Sequence, residues 1–356
     1  MDIGIIGLPG SGKSALFRGL TGVASASGRY DARGGIETLE APIPDARLEQ
    51  VAAMEGSRKT TFAQATVSDV TGLISGEKGV RHTSAELLGK VRQFDLLIVP
   101  LRAFRNEAAP HLFGSVDPER DMAEVESELL LGDLTIMERR IEKIRAAKTP
   151  SREQRAEYEA ETALLERLRV SLEQGVAVRH ADLDEADRRR LAAFPFLTAR
   201  APLYCLNTDD DHAADPLPSW LQNRPAVAAA VETESSLRDL PEADRAEFAD
   251  ALGVTVPLAE RVMRAALEAA GKATFFTAGP TETRAWLIND GERAVEAAGK
   301  IHKDIARGFI RAEVVSLADY LAHGPWKQLK AASCVREEGK EYPVRDGDVI
   351  NVRFSA

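Results

Sequence analysis

Short apolar runs of strand length recur along the chain, separated by stretches with helical spacing. The first six residues, MDIGII, predict a buried strand at the amino terminus. Asp95 to Leu101 is a continuous apolar run, which is typical of a central parallel strand. The strand pattern returns at Ala201 to Leu206 and at Val227 to Val231. Strands alternating with helices in this way predict an α/β fold.

The spacing of apolar residues changes after Asp121. They then recur every three or four positions, at Leu134, Met137, Ile141 and Ile144, and a second helix follows from Tyr158 to Leu172. Between the two helices the pattern breaks, and Ser151 with Gln154 fits a capping box that restarts it. Two long charged helices with a short break predict an antiparallel helical hairpin. Its role is open between packing against the core and a projecting arm that binds a partner.

The last part of the chain returns to short strands. Thr274 to Ile288 contains two β-like runs around a Gly-Pro turn, and Glu292 to Arg307 has a helical pattern. Phe309 to Ser316 and the end of Lys340 to Phe354 are further strand patterns. A hairpin, a helix and later strands in so short a length predict a β-grasp module.

The expected domain organisation is therefore discontinuous. Residues 1–120 and 195–272 form the α/β core, and residues 121–194 form the inserted helical hairpin. Residues 273–356 form the carboxyl-terminal β-grasp domain. With 356 residues, the chain is long enough for two or three domains with cores of their own.

Composition narrows the functional classes. The chain is 44% hydrophobic and 29% charged, as in a soluble globular protein, and its net charge of −10 argues against a general nucleic-acid or membrane binder. We therefore expect neither membrane attachment nor readout of a DNA sequence. Cys205 and Cys334 are the two cysteines, far apart in sequence, which fits a reduced cytoplasmic protein without disulfides.

The segment GLPGSGKS, from Gly7 to Ser14, has the spacing of a P-loop and stands between a predicted strand and a predicted helix. Glycines let backbone N–H groups converge on phosphate, Lys13 would reach the β- and γ-phosphates, and Ser14 would bind Mg²⁺. The plainer alternative is a glycine-rich turn. The candidate nucleotide-binding residues here are Gly7, Pro9, Gly10, Ser11, Gly12, Lys13, Ser14 and Ala15.

A second motif follows the predicted strand from Thr60 to Val70. Asp69 stands where a Walker B carboxylate holds Mg²⁺, and Gly72 would let a backbone N–H approach a γ-phosphate. Lys13, Asp69 and Gly72 are thus the catalytic candidates, with Ser14 and Asp69 as metal ligands. Leu73 replaces the water-positioning Gln of Ras-like proteins, so hydrolysis would use another group or be slow. His82, in the next loop, is a weaker candidate.

A third motif, Asn207-Thr208-Asp209-Asp210, follows the strand pattern at 201–206. It corresponds in position to the N-K-x-D motif of GTPases, whose final Asp binds guanine, but Thr208 replaces the lysine. The alternative is a plain Asx turn. Asn207 and Asp210 are therefore candidate base contacts. The small side chains of Ala229 and Ala230 would let a base lie against the backbone. The order P-loop, D-x-x-G, N-x-x-D is that of a G-domain.

With these residues assembled, the chain resembles the YchF-type Obg-like ATPases of the translation-factor class of P-loop NTPases. The likeness covers nearly the full length and includes GLPGSGKS, PIPDARL (42–48), DVTGL (69–73), FFTAGPTETRAW (275–286) and EGKEYPVRDGDVI (338–350). The resemblance implies a G-domain with a helical-hairpin insertion and a carboxyl-terminal TGS domain of β-grasp fold. It also implies Mg²⁺-dependent hydrolysis, often of ATP in preference to GTP, and association with ribosomes.

Carried over by position, the resemblance gives Gly12, Lys13 and Ser14 phosphate and metal contacts, Asp69 the Walker B role and Asn207 a base contact. The chain departs from its relatives at several positions. Arg33 aligns with a threonine of the first switch loop, for which Thr38 is a candidate substitute; Val99 stands where relatives often have histidine; and N-x-x-D replaces N-x-x-E.

The sequence thus predicts a cytoplasmic, Mg²⁺-dependent P-loop nucleoside triphosphatase that binds ATP or GTP. It would act as a nucleotide switch on the ribosome or another RNA-containing partner, with slow hydrolysis. A nucleotide-binding regulator with little or no hydrolysis is the alternative, favoured by the altered switch threonine. P-loops also serve metabolic kinases, but the order of the D-x-x-G and N-x-x-D motifs and the β-grasp tail make that alternative weaker.

Overall fold

A computed structural model describes residues 1–22, 29–31, 36–71, 85–147 and 151–355. The chain forms two compact units, described separately here. The first comprises Met1–Leu39 and Val67–Thr255, and the second comprises Glu40–Thr66 and Val256–Ala356.

The described residues form thirteen strands in two sheets. The strands are β1 Asp2–Ile5, β2 Arg29–Asp31, β3 Ile36–Pro42, β4 Thr60–Thr61, β5 Gln64–Val70, β6 Leu96–Arg102, β7 Leu203–Asn207, β8 Ala226–Ala229, β9 Lys272–Thr277, β10 Thr283–Asn289, β11 Phe309–Val315, β12 Arg336–Glu338 and β13 Val349–Phe354.

The same residues form thirteen α-helices, with short 3-10 turns between some of them. The helices are α1 Lys13–Thr21, α2 Ala46–Glu55, α3 Ala85–Val91, α4 Pro118–Arg145, α5 Arg152–Glu173, α6 Glu185–Leu191, α7 Val231–Ser236, α8 Glu242–Ala251, α9 Leu258–Ala269, α10 Ala294–Ile301, α11 Lys303–Arg307, α12 Leu317–His323 and α13 Trp326–Ala331. None of these helices combines the length and the apolar character needed to cross a bilayer.

The seven-stranded sheet has the order β2-β3-β5-β1-β6-β7-β8. The neighbouring strands β1, β6, β7 and β8 pair parallel to one another. Ile5 of β1 lies opposite Ile98 of β6, and Asn207 of β7 lies opposite Ala229 of β8. Every residue of β6 is buried, as its apolar run predicts for a central strand. Because parallel strands end at the same edge, the loops after β1, β6, β7 and β8 meet there, with β5 beside β1. The α/β class predicted from the sequence is confirmed.

Helices α4 and α5 pack along a shared apolar seam. Met137 and Ile141 of α4 meet Leu164, Leu165 and Leu168 of α5 in one buried cluster. Ser151 caps α5 through the predicted capping box with Gln154. Arg179, just beyond α5, donates to Glu126 near the start of α4, so α5 runs back toward that end.

Asp133 joins α4 to the segment that precedes β7. It is fully buried and accepts from Arg92 Nη1 at 3.0 Å, from the backbone N–H groups of Leu197 and Thr198 at 2.9 and 2.8 Å, and from the Thr198 hydroxyl at 2.8 Å. Burial raises the pKa of Asp133, and these hydrogen bonds and the charge of Arg92 oppose that rise. The buried carboxylate is therefore paired with a cation and with three further hydrogen-bond donors, which offset part of the cost of its burial.

The second unit contains a six-stranded sheet with the order β12-β11-β13-β9-β10-β4. Its core includes Phe275, Val314 and Ile350. The unit is larger than the expected 273–356, because it also includes residues 40–66 and 256–272. Residues 40–66 belong to it because β4 pairs with β10 and the Ser57 and Thr283 hydroxyls are 2.7 Å apart. This distant pairing also divides the strand expected at Thr60 to Val70 into β4 and β5.

Two expected elements have different limits. The helix expected from Glu292 to Arg307 breaks at His302, whose extended backbone lets its ring accept the N–H of Asp304 and cap α11. The strand expected from Val227 to Val231 ends at Ala229, because α7 begins at Val231.

We expect Asp133→Ala to destabilise the first unit by about 3–5 kcal/mol, because it leaves the Arg92 charge and two amides without their buried partner. Urea unfolding followed by circular dichroism measures this. Glu138→Ala, an exposed change on the same helix, should stay within about 0.5 kcal/mol of the wild type. A loss below about 1 kcal/mol in Asp133→Ala would contradict the assigned role.

Candidate functional site

The loop between β1 and α1 needs glycine at defined positions. Gly7, Gly10 and Gly12 have φ values of 148°, 74° and 99°, a region that side chains disfavour. A Cβ on Gly12 would also lie 2.2 Å from the Asn207 side-chain nitrogen. The loop thus turns sharply, with no side chain at these three positions, and leads into α1, where backbone N–H groups can bind an anion.

Lys13 is folded over this loop. Its ammonium group donates to the carbonyl oxygens of Gly7 and Leu8, at 3.1 and 2.9 Å. Burial lowers the pKa of Lys13, and the charge of Asp69 acts in the opposite direction. Both acceptors are neutral, so phosphate oxygens would be stronger partners for this cation.

Asp69 approaches the start of α1 from the end of β5. Ser14 Oγ donates to Asp69 Oδ2 at 2.7 Å. Asp69 is 5% exposed, and its Oδ1 is buried without a hydrogen-bond partner among the described residues. A hydroxyl and a carboxylate held this close are the hard oxygen donors that Mg²⁺ prefers.

Asn207 lies under the loop at the end of β7. Its Nδ2 donates to the Ser11 carbonyl at 3.1 Å, and its Oδ1 accepts the Val231 N–H at 3.1 Å. Its backbone carbonyl accepts the Ala103 N–H at 2.7 Å. The amide expected to contact a base is thus engaged inside the protein, where it joins the P-loop to the start of α7.

A cavity of about 780 Å³ opens beside the loop. Gly12, Ala15, Asn207, Asp210 and Ala230 line it, whereas Ala229 is fully buried and lies outside the lining. Further lining residues are Phe104, Asn106, Thr208, Asp209, Asp211, His212, Glu232 and Thr233. The mixture of one aromatic ring and several hydrogen-bonding groups suits a heterocyclic base.

Asp210 and Thr208 present different groups to this cavity. Asp210 is exposed, and the Thr208 hydroxyl is buried without a hydrogen-bond partner among the described residues. A buried hydroxyl without a partner favours a ligand that supplies one.

Arg102 was not singled out by the sequence analysis. It is 2% exposed and donates only to carbonyl oxygens, those of Phe104 and Asn106, both at 3.3 Å. Its guanidinium lies 4.7 Å from the Phe104 ring centroid, and Nη1 is 3.3 Å from where a Cβ on Gly10 would be. Among the described residues it has no carboxylate within ion-pair distance. Within the described ranges, a buried cation beside the phosphate loop therefore has no compensating anion.

A signal for Arg102 is present in the sequence. It is the one charged residue that directly ends the apolar run of β6, on a strand next to β1. Charged groups at the carboxyl ends of parallel strands face the ligand edge of such a sheet.

The remaining sequence candidates are placed as follows. Pro9 and Gly10 are exposed on the loop, and Ser11 is buried beneath it. The Thr38 hydroxyl lies 2.9 Å from Ser68 Oγ, and Val99 is fully buried in β6. Gly72, Leu73, His82 and Arg33 lie outside the described residues.

The fold and the site together place the chain in the P-loop NTPase class. Comparison with known proteins identifies the family. A protein named Ribosome-binding ATPase YchF from Bacillus subtilis (strain 168) is 32% identical over 371 residues, covering 100% of this chain and 99% of the relative. A protein of that name from Escherichia coli O157:H7 is 34% identical over 366 residues, covering 99% and 98%. The chain belongs to the YchF family.

Two further comparisons agree with this membership. The family model YchF-GTPase_C, described as a protein of unknown function (DUF933), matches residues 273–355. The solved structure of the Schizosaccharomyces pombe YchF GTPase superposes with a TM-score of 0.82 at 24% identity, covering 99% of this chain and 97% of that one. This likeness shows that the two proteins share a fold.

We expect Asn207→Ala to weaken ATP, GTP and inorganic triphosphate alike, by about tenfold, because it leaves the Ser11 carbonyl and the Val231 N–H unpaired. Titration calorimetry with Mg²⁺ and each ligand measures this. Asp210→Ala, at the exposed cavity wall, should leave inorganic triphosphate binding unchanged. Asn207→Ala that weakened only the nucleotides would instead make Asn207 a base contact.

Proposed function

We propose that the protein is a Mg²⁺-dependent purine nucleoside triphosphatase that acts in the cytoplasm as a nucleotide switch on the ribosome or another RNA-containing partner. The observation that carries the proposal is the geometry of the phosphate site. Lys13 donates to a carbonyl of the glycine-rich loop, whose glycines have positive φ, and Ser14 donates to Asp69. Two relatives are named as ribosome-binding ATPases, which supports the ribosome as the partner and nucleoside triphosphate hydrolysis as the reaction.

Residues of this chain would position the triphosphate in several ways. The loop amides and the start of α1 would hold the β-phosphate, and Lys13 would exchange its two carbonyl partners for β- and γ-phosphate oxygens. Phe104 and the walls of the adjacent cavity would hold the base. Catalysis in this scheme consists of positioning and of stabilising negative charge on the transferring phosphoryl group.

The Ser14 and Asp69 pair fits Mg²⁺, since Asp69 Oδ1 is buried without a partner among the residues that the structure describes and Ser14 Oγ is within 2.7 Å of Oδ2. Bound there, the ion would neutralise charge on the β- and γ-phosphates. Ser14 and Asp69 are the residues that would bind the ion.

Arg102 would act on the same phosphates. Its Nη1 lies beside Gly10, and the negative triphosphate would supply the anion that this buried guanidinium lacks. An arginine supplied by the same chain stabilises transition-state charge in other P-loop enzymes. We therefore propose Arg102 as the group that compensates for the Ras-type glutamine replaced by Leu73.

We also propose that the chain has the three parts expected from its sequence: an α/β core, an inserted helical arm and a β-grasp module. The paired helices α4 and α5, with the residues between them and β7, would be the inserted arm of 121–194. The sheet of β9 to β13 would be a TGS-type β-grasp module that contacts the partner. A regulator that binds nucleotide without hydrolysis is the second candidate, since Thr38 is engaged with Ser68.

The decisive experiment measures binding and steady-state phosphate release for ATP and GTP with Mg²⁺. We expect binding of at least one purine triphosphate and slow turnover, with both lost in Lys13→Ala because no other ammonium group is held at this loop within the described residues. Lys143→Ala, an exposed change on α4, is the control. Binding without turnover would favour the regulator, and wild-type affinity in Lys13→Ala would contradict the phosphate site.

A separate test concerns Arg102. We expect Arg102→Gln to lower kcat by about a hundredfold, because charge stabilisation of the transferring phosphate is lost while the loop remains. Arg102→Lys should recover only part of the rate, since an ammonium lacks the planar fork. Thermal melting without nucleotide reports any structural effect. An unchanged kcat in both variants would remove Arg102 from the mechanism.

A further inference from the structure

Three side chains of different chemistry converge in the second unit, on α12 and just beyond α13. Asp319 and His323 are four residues apart on α12, which places them on one face of the helix. Cys334 is the third. One ligand atom from each of the three lies within 4.8 Å of the other two.

The position of Cys334 depends on an unusual backbone turn. Ser333 has a φ of 56°, the one positive φ outside glycine among the described residues. At this turn the Ser333 and Cys334 N–H groups donate to the carbonyls of Lys330 and Leu329, at 3.2 and 3.1 Å, which ends α13 in a Schellman arrangement. The chain thereby doubles back and brings the Cys334 thiol beside α12.

Buried contacts hold the two helices in place. Leu329 of α13 and Tyr320 of α12 are fully buried, and the Tyr320 ring meets that of Trp326 edge-on, 6.1 Å between centroids. The three side chains are therefore attached to backbone that this core fixes, although His323 itself is exposed and Asp319 and Cys334 are half-buried.

The neighbours of the cluster leave its ligand atoms available. Ser316 Oγ donates to Asp319 Oδ2 at 2.6 Å and orients the carboxylate, as an outer partner of a metal ligand commonly does. One ring nitrogen of His323 lies within 4.8 Å of a carboxylate oxygen of Asp319 and of the Cys334 sulfur. The Cys334 thiol makes one long contact, 3.6 Å, with the Ala332 carbonyl.

We propose that Asp319, His323 and Cys334 form a Zn²⁺ site, with water as the fourth ligand. Thiolate and imidazole together favour Zn²⁺ over Mg²⁺ or Ca²⁺, which take oxygen ligands. In a tetrahedral zinc site the ligand atoms are about 3.4 Å apart. The three ligand atoms here lie within 4.8 Å of one another, so side-chain rotations that move each atom by about 1 Å would complete the geometry. The site lies in the second unit and involves no residue assigned to the nucleotide.

Zinc at this position would fasten the segment after α13 to α12. Because the ligands come together only in the folded unit, binding would raise the free energy of unfolding of that unit, with the logarithm of the free zinc concentration once this exceeds the dissociation constant. Cys334 would bind as the thiolate, releasing a proton.

The test uses the full-length, reduced protein with Mg²⁺ present and Co²⁺ as a spectroscopic probe displaced by Zn²⁺. We expect one equivalent of Co²⁺ to give tetrahedral d–d bands and a thiolate charge-transfer band, both removed by Zn²⁺. Zn²⁺ should also raise the melting temperature. Cys334→Ser should abolish the charge-transfer band, and His323→Ala should weaken Zn²⁺ at least about tenfold.

Two controls make the outcome specific. His302→Ala changes another exposed histidine of the same unit and should leave Zn²⁺ affinity unchanged. Cys205 remains in Cys334→Ser, so a charge-transfer band that persists there would belong to Cys205 and overturn the proposal. Absence of the thiolate band in the wild type, or unchanged Zn²⁺ affinity in both Cys334→Ser and His323→Ala, would also overturn it.

Discussion

The nucleotide site depends on one hydrogen bond, from the Asn207 side chain to the Ser11 carbonyl. A loop whose amides must converge on phosphate is intrinsically strained and solvated, so it needs support from below. Asn207 supplies that support and fits only because Gly12 has no side chain. The same amide accepts the N–H of Val231, which fixes the start of α7 against the loop. One residue at the end of a strand thus connects the phosphate loop to the helix start that borders the cavity.

The guanidinium groups of Arg92 and Arg102 are both largely buried, but they differ in the groups that accept their hydrogen bonds. Arg92 lies against Asp133, whose remaining lone pairs accept amides and a hydroxyl, so that cluster is complete without a ligand. Arg102 is as buried, yet within the described residues only carbonyl oxygens accept its hydrogen bonds. Folding tolerates a buried cation when an anion is near, so an arginine without one beside a phosphate loop indicates where the anion binds. This contrast argues for Arg102 more strongly than burial or position alone.

The α/β class and the YchF family were predictable from the sequence, because the spacing of motifs and apolar residues along the chain encodes them. Glycine positions, Lys13 and the strand before them are neighbours in sequence. The contacts of Asn207 and Arg102 with the loop region were not predictable, since each depends on which strands lie side by side. The same holds for residues 40–66, which join the second unit through the pairing of β4 with β10. Sequence patterns specify elements, and pairing between distant elements decides which side chains meet.

This distinction also bears on the cluster at Asp319. The spacing of Asp319 and His323 is visible in the sequence, but an aspartate and a histidine four residues apart are common on exposed helices. What makes the pair notable is the third side chain, brought in by a left-handed turn at a serine, where glycine is the usual choice. A non-glycine residue in that conformation is disfavoured, so the turn must be fixed by its surroundings: the two hydrogen bonds that end α13 and the burial of Leu329. The thiol position therefore follows from packing of the unit, and a metal would add to an arrangement that the fold already holds.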